Sequence, residues 1–164
     1  MTPVQIRPAT PADADAICRI YNQGIEDRVA TLETELRTAD ERRHWLASRS
    51  SRHPVVVAEA DGEITGWGSL NPFNPREAYR FVADFSIYVE RGWRGKGVGQ
   101  VLLTHLIELG RKHSFHKLVL SAFPTNQAGM ALYTRLGFRT VGIYKEQGLL
   151  DGQWVDTIVM ERIL

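Results

Sequence analysis

From Ala83 to Val89 the chain alternates strictly: Ala83, Phe85, Ile87 and Val89 are apolar, while Asp84, Ser86, Tyr88 and then Glu90 carry polar groups. That period of two predicts a strand with one buried and one polar face. Beyond Gly97 the period changes, and Val98, Val101, Leu102, Leu106 and Leu109 fall on one helical face, which His105 joins. A turn dense in glycine and positive charge, Arg91-Gly92-Trp93-Arg94-Gly95-Lys96-Gly97, links the two.

The remaining elements follow from the same patterns. Val4 to Arg7 reads as a strand. Thr10-Pro11-Ala12-Asp13 opens a helix with a capping threonine, a proline at the first helical position and an acid three residues past the cap. Its apolar stripe is Ala14, Ile17, Cys18, Tyr21 and Ile25. Gly24 to Arg37 reads as irregular, with Ala30 to Glu35 placed to line a cleft. Thr38-Ala39-Asp40-Glu41 is a second capping box, and its helix runs through about Ser50. Pro54 to Glu59 and Glu63 to Leu70 form a hairpin about Asp61-Gly62. Asn71 to Tyr79, with two prolines, reads as a loop. Lys117 to Phe123 is a strand stopped by Pro124, and Asn126 caps a helix that ends at Leu136 and is closed by Gly137. Phe138 to Gln147 and Trp154 to Ile163 are strands joined across Asp151-Gly152.

Composition narrows the class. The 164 residues are a one-domain length, and 43% apolar with 24% charged residues is ordinary for a soluble globular protein. A net charge of +1 offers no basic surface for nucleic acid. No apolar run approaches the ~20 residues of a membrane span, and MTPVQIRPAT lacks the apolar core of a signal peptide. Cys18 is the sole cysteine, which excludes an intrachain disulfide and makes a reducing cytoplasm the expectation. A single domain over 1–164, without nucleic acid or membrane partners, is expected.

Strand, glycine turn and helix start together describe an anion site. Unpaired N–H groups and the positive end of the helix dipole face the turn, and Arg94 and Lys96 add charge. The glycines stand at 92, 95, 97 and 99, so neither GxxxxGK[ST] nor GxGxxG fits. Arg94-x-x-Gly97-x-Gly99 does fit the pyrophosphate loop of the GNAT N-acetyltransferases, [Q/R]-x-x-G-x-[G/A], and the element order over almost the whole chain resembles that family too. The resemblance implies an α/β (mixed α+β) fold: a twisted mixed sheet of about seven strands with about four helices and splayed fourth and fifth strands. It implies acetyl-CoA as donor, with the pantetheine arm between those strands along Ile87, Tyr88 and Val89. Arg94, Gly95, Lys96, Gly97, Val98 and Gly99 would hold the pyrophosphate, and Asn126 the arm. Relatives are commonly homodimers. No metal is expected, since His113-x-x-His116 lacks a third ligand nearby.

Acetyl transfer to an amine requires that the amine lose a proton, the oxyanion be stabilised and the leaving thiolate be protonated. A lysine-like amine costs ~4 kcal/mol to deprotonate at pH 7, and a peptide α-amine only ~1 kcal/mol. Tyr133, two helical turns from Asn126, matches the tyrosine that GNAT enzymes use as acid. Capping and core roles are the plain readings of this pair. Asp84 is the first candidate base and Glu90 the second; a structural carboxylate is the alternative for Asp84. No serine or cysteine sits in a nucleophile motif, so transfer is expected to be direct.

Asn71 to Val89 further resembles the acceptor segment of phosphinothricin and methionine sulfoximine acetyltransferases, whose arginine, tyrosine and acid fall on Arg76, Tyr79 and Asp84. The subfamily acid is usually glutamate. Gly152-x-Trp154-x-Asp156 resembles its closing motif, with Val155 in place of the usual histidine. By this resemblance the acceptor is a small amine bearing a carboxylate, and Leu32, Phe73, Arg76, Tyr79 and Asp84 are the candidate contacts. Arg76 is read either as a carboxylate clamp or as a solvated loop residue, with Arg80 as the substitute.

Overall fold

A computed structural model describes residues 3–164. Strand β1 (Gln5–Pro8) leads into a 3-10 turn at Pro11–Asp13 and helix α1 (Ala14–Asp27). Asp13 secures this entry, since its carboxylate accepts from the Thr10 N–H at 2.7 Å and receives the Arg7 guanidinium through two bonds of 2.8 Å. Helix α1 runs past Gly24, where the sequence suggested an irregular start, and ends at Arg28 with φ of 56°. Gly24 serves packing here: a Cβ would lie 3.0 Å from the Tyr88 ring. Helix α2 (Ala39–Ala47) is capped by Thr38, which accepts from the Glu41 N–H at 3.2 Å, and stops short of Ser50.

Strands β2 (Val55–Ala60) and β3 (Glu63–Pro72) turn on Asp61 and Gly62, both with positive φ. Strand β3 takes in two residues expected in the following loop, because Asn71 and Pro72 pair in register with Asp84 and Ala83 of β4 (Val82–Val89). Helix α3 (Val98–Lys112), β5 (Lys117–Ala122), α4 (Gln127–Arg135), β6 (Arg139–Leu150) and β7 (Gln153–Ile163) complete the chain.

The sheet order is β1-β2-β3-β4-β5-β7-β6, and among the described residues only the β4–β5 pair is parallel. Apolar layers cover both faces. Helix α3 packs Leu102, Leu103 and Leu106 with Phe85 and Phe138 on one face, while α1 packs Ile17 and Ile20 with Val57 and Trp67 on the other. The buried stripe of α3 is rotated from the expected one, for Leu103 and Ile107 are buried and Val101 is 38% exposed. Close approach to β3 sets that rotation: Cβ atoms on Gly66 and Gly68 would each lie 3.1 Å from α3 side chains, Val98 and Leu102 in the first case and Leu106 in the second.

Strands β4 and β5 pair only at Val82–Lys117, Ala83–Leu118 and Asp84–Val119, although both continue beyond. The sheet therefore opens immediately after Asp84, as the resemblance implied.

Candidate active site

The opening between β4 and β5 holds a cavity of about 230 Å³. Asp84, Ser86, Ile87 and Tyr88 line it from β4, Ser121 from β5, and Asn126 and Tyr133 from the α4 side, with Val29 and Ala30 beyond the end of α1. Side chains alternate along a strand, so Asp84 belongs to the α1–α2 face, whereas Tyr133 packs edge-on against Phe85 of the α3–α4 face, with centroids 6.1 Å apart. A continuous sheet would separate the two. They share one cavity because backbone pairing has stopped.

Burial pushes the Asp84 carboxyl up to about 6, opposed by a hydrogen bond from Asn71 Nδ2 at 3.4 Å. Among the described residues no cation pairs with Asp84. At neutral pH it is thus ionised yet holds a proton more strongly than an exposed carboxylate, as a general base should. Burial also raises the Tyr133 phenol, keeping it protonated and able to donate. Tyr88 stacks on Trp67 at 5.0 Å and 18°, and builds the wall beyond Asp84.

Glu90 lies outside this cavity. Its carboxylate accepts from the Gly92 N–H at 2.8 Å and from Gln23 Nε2 at 3.2 Å, capping the 3-10 turn Arg91–Trp93 that follows β4.

A second cavity, about 420 Å³, lies over the glycine turn. Val89, Arg94, Gly95, Gly97, Val98 and Gly99 form one side, and Asn126, Gly129 and Leu132 the other. Gly97 has φ of 87° with open space where a Cβ would stand, a conformation that favours glycine and leaves the backbone accessible. The first-turn N–H groups of α3 have no helical partners, which suits a pyrophosphate. Arg94 Nη1 bonds Asp27 at 2.6 Å, and Arg91 shares that carboxylate. Lys96 stands off the cavity, 5.3 Å above the Trp93 ring. Val29 and Asn126 line both cavities, so the one over the loop and the one holding Asp84 adjoin. Asn126 also caps α4, accepting from the Gly129 N–H at 3.1 Å. The donor set fits acetyl-CoA: backbone N–H groups and Arg94 for the phosphates, and an open sheet edge for the amide-bearing arm.

Of the expected acceptor contacts, Asp84 lines the cavity between β4 and β5, whereas Leu32, Phe73, Arg76 and Tyr79 do not. Phe73 and Tyr79 pack edge to face at 5.6 Å on an exposed segment that also carries Arg76. Arg80 is engaged by Glu77 at 3.4 Å. Leu32 lies against Gly148 of β6, where a Cβ would be 3.0 Å away. Of the segment expected to line a cleft, Ala30 does so, together with Val29 just before it. Asn71 and Ser121 escaped the sequence reading: Asn71 is followed by proline and reads as loop, and only its pairing with Asp84 reveals its place.

Comparison with known proteins agrees with this geometry. The model of the acetyltransferase (GNAT) family matches residues 16–138. An L-methionine sulfoximine/L-methionine sulfone acetyltransferase of Pseudomonas paraeruginosa is 35% identical, covering 95% of this chain and 92% of its own. A phosphinothricin acetyltransferase of Sinorhizobium meliloti, solved in complex with acetyl-CoA, has a TM-score of 0.93 at 31% identity, over 98% of this chain and 88% of that one. A structure of a ribosomal-protein-alanine N-acetyltransferase from Brucella melitensis has a TM-score of 0.94 at 37% identity, over 98% and 99%. The chain belongs to the acetyltransferase (GNAT) family and is an acetyl-CoA-dependent N-acetyltransferase.

Proposed function

We propose that this enzyme acetylates the primary amine of a small amino-acid-like acceptor, such as an amino acid or a toxin of the phosphinothricin or methionine sulfoximine type. The observation that carries this reading is the half-buried Asp84, in no ion pair among the described residues, facing Tyr133 across a cavity of about 230 Å³, a volume that favours a small acceptor over a polypeptide. Asp84 accepts the amine proton, directly or through one water, and Tyr133 donates to the departing thiolate. Asn126 holds the pantetheine arm, and Arg94 with the Gly95–Gly99 backbone holds the pyrophosphate. Transfer is direct, without an acyl-enzyme.

The acceptor's carboxylate is assigned to Arg76, which is exposed and in no ion pair among the described residues, beside Phe73 and Tyr79. Leu32 and the last hairpin complete the acceptor side. Exposed Val141, Ile143, Tyr144 and Leu149 on the edge strand β6 favour a homodimer. Residues 1–164 are read as one domain. No helix among the described residues is long and apolar enough to cross a membrane, and with the lone, buried Cys18 this favours a cytoplasmic enzyme.

A peptide N-terminus is the second reading, favoured by the likeness to the ribosomal-protein-alanine N-acetyltransferase of Brucella melitensis and by the low cost of deprotonating an α-amine. Thiol release from acetyl-CoA against phosphinothricin, methionine sulfoximine, free amino acids, polyamines and short peptides separates the two. Turnover confined to the amino-acid analogues, with a KM that rises at least tenfold in Arg76→Ala for carboxylate-bearing amines only, supports the first. Turnover on peptides or polyamines removes Arg76 from its role. Acetyl-CoA binding without turnover on any of these amines removes both acceptor readings.

A further inference from the structure

Behind Asp84 lies a polar cluster that none of the roles above uses. Arg49, just past α2, lays its guanidinium over the Trp45 ring at 4.5 Å and donates from Nε to the His53 carbonyl at 3.1 Å. Its Nη2 donates to the Leu70 carbonyl and, at 2.9 Å, to Asn71 Oδ1. Ser69 Oγ donates to the same Oδ1 at 2.9 Å. A guanidinium can only donate, so the oxygen of the Asn71 amide must face Arg49 and its NH2 must face the other way. There it meets Ser86 Oγ at 3.1 Å and Asp84 Oδ1 at 3.4 Å. The described residues supply no hydrogen bond to Asp84 Oδ2.

We propose that Asn71, locked by Arg49, is a positioning residue for Asp84: it presents an N–H to the carboxylate, favours its ionised form and leaves Oδ2 free toward the cavity. A flipped amide would turn a carbonyl oxygen on Asp84 and favour the neutral acid instead. Arg49 blocks that flip at the cost of burying its own charge, which lowers the guanidinium to about 10. The groups facing Asp84 are Asn71 from β3, Val119 from β5, Ser86 and Tyr88 from its own strand, and Tyr133 across the cavity. None of these carries a permanent charge; Arg49 stands behind Asn71, bonded to its Oδ1. Asn71 is therefore the side chain through which the surroundings favour the ionised form. As a step in proton acceptance, the inference rests on Asp84 being the base.

The test titrates the Asp84 carboxyl carbon by NMR, assigned through its loss in Asp84→Asn, beside the pH profile of kcat/KM. In Asn71→Ala the midpoint rises by at least about half a unit, a threefold gain in proton affinity, and the acid limb of kcat/KM moves with it. Asn71→Asp keeps the side-chain size, removes the donor and adds a negative charge, and shifts the midpoint further. Arg49→Gln, which frees the amide to rotate, shifts it in the same direction. The KM for acetyl-CoA is unchanged, which also reports that the variants fold. A purely structural role would lower stability without moving the midpoint. Midpoints unmoved in both Asn71→Ala and Asn71→Asp overturn the proposal. A moved midpoint with a fixed acid limb upholds Asn71's hold on Asp84 and removes Asp84 from the role of base.

Discussion

Replacing Asp84 by asparagine is expected to stabilise the protein while inactivating it. Burial lifts the carboxyl from 3.8 to about 6 in the folded state. Folding therefore favours the protonated form, and the stability this contributes is complete below about pH 4 and is lost as pH rises through 6. The shift of about two units corresponds to about 3 kcal/mol of cost carried by the ionised group at pH 8. At pH 5, where the folded carboxyl is mostly protonated, the same arithmetic leaves about 1.5 kcal/mol. Asparagine has nearly the same shape, carries no charge and can turn its carbonyl to the Asn71 N–H, so it escapes this cost. Urea unfolding of both proteins at pH 5 and pH 8 reads the difference. Asp84→Asn is expected to be more stable at both, by about twice as much at pH 8. For a chain of this length, about 3 kcal/mol corresponds to about 6–12 °C in Tm. Activity should fall by about 10²-fold or more, a functional group held at the expense of stability. An asparagine variant no more stable at pH 8, or a difference that does not grow with pH, would refute the reasoning, because the carboxylate would then be solvated or paired.

Two further outcomes are expected. Tyr133→Phe removes a phenol that has no hydrogen-bond partner among the described residues, so unfolding should change little while kcat falls by about 10²-fold and the KM for acetyl-CoA stays within a few-fold; an unchanged kcat would exclude the phenol as the acid. Gly97→Ala forces an alanine to φ of 87° at a strain of about 1–2 kcal/mol and puts a methyl into the groove beside the loop, so acetyl-CoA affinity measured by calorimetry should fall by about tenfold or more; unaltered affinity would show that the loop backbone does not hold the pyrophosphate.

Much of the fold was legible because its signals are local. The alternation from Ala83 to Val89, the glycine spacing from Arg94 to Gly99, and the caps at Thr38 and Asn126 each depend on residues within one or two turns of each other. Elements misplaced by a few residues owe their true ends to distant partners. Helix α1 passes Gly24 because Tyr88 needs the space above it, and β3 reaches Pro72 because β4 pairs with it there.

Sequence by itself determined the elements, their order and the loop that suits a pyrophosphate, since strand period, helix period and glycine conformation are properties of neighbouring residues. Tertiary structure alone decided where β4 and β5 part, and so that Asp84 and Tyr133, from opposite faces of the sheet, open onto one cavity. It alone assigned Glu90 to capping a turn and set Asn71 and Arg49 behind Asp84. Each of those outcomes is a pairing across tens of residues, and strand register and burial, which set both the geometry and the charge of Asp84, exist only once the sheet has formed.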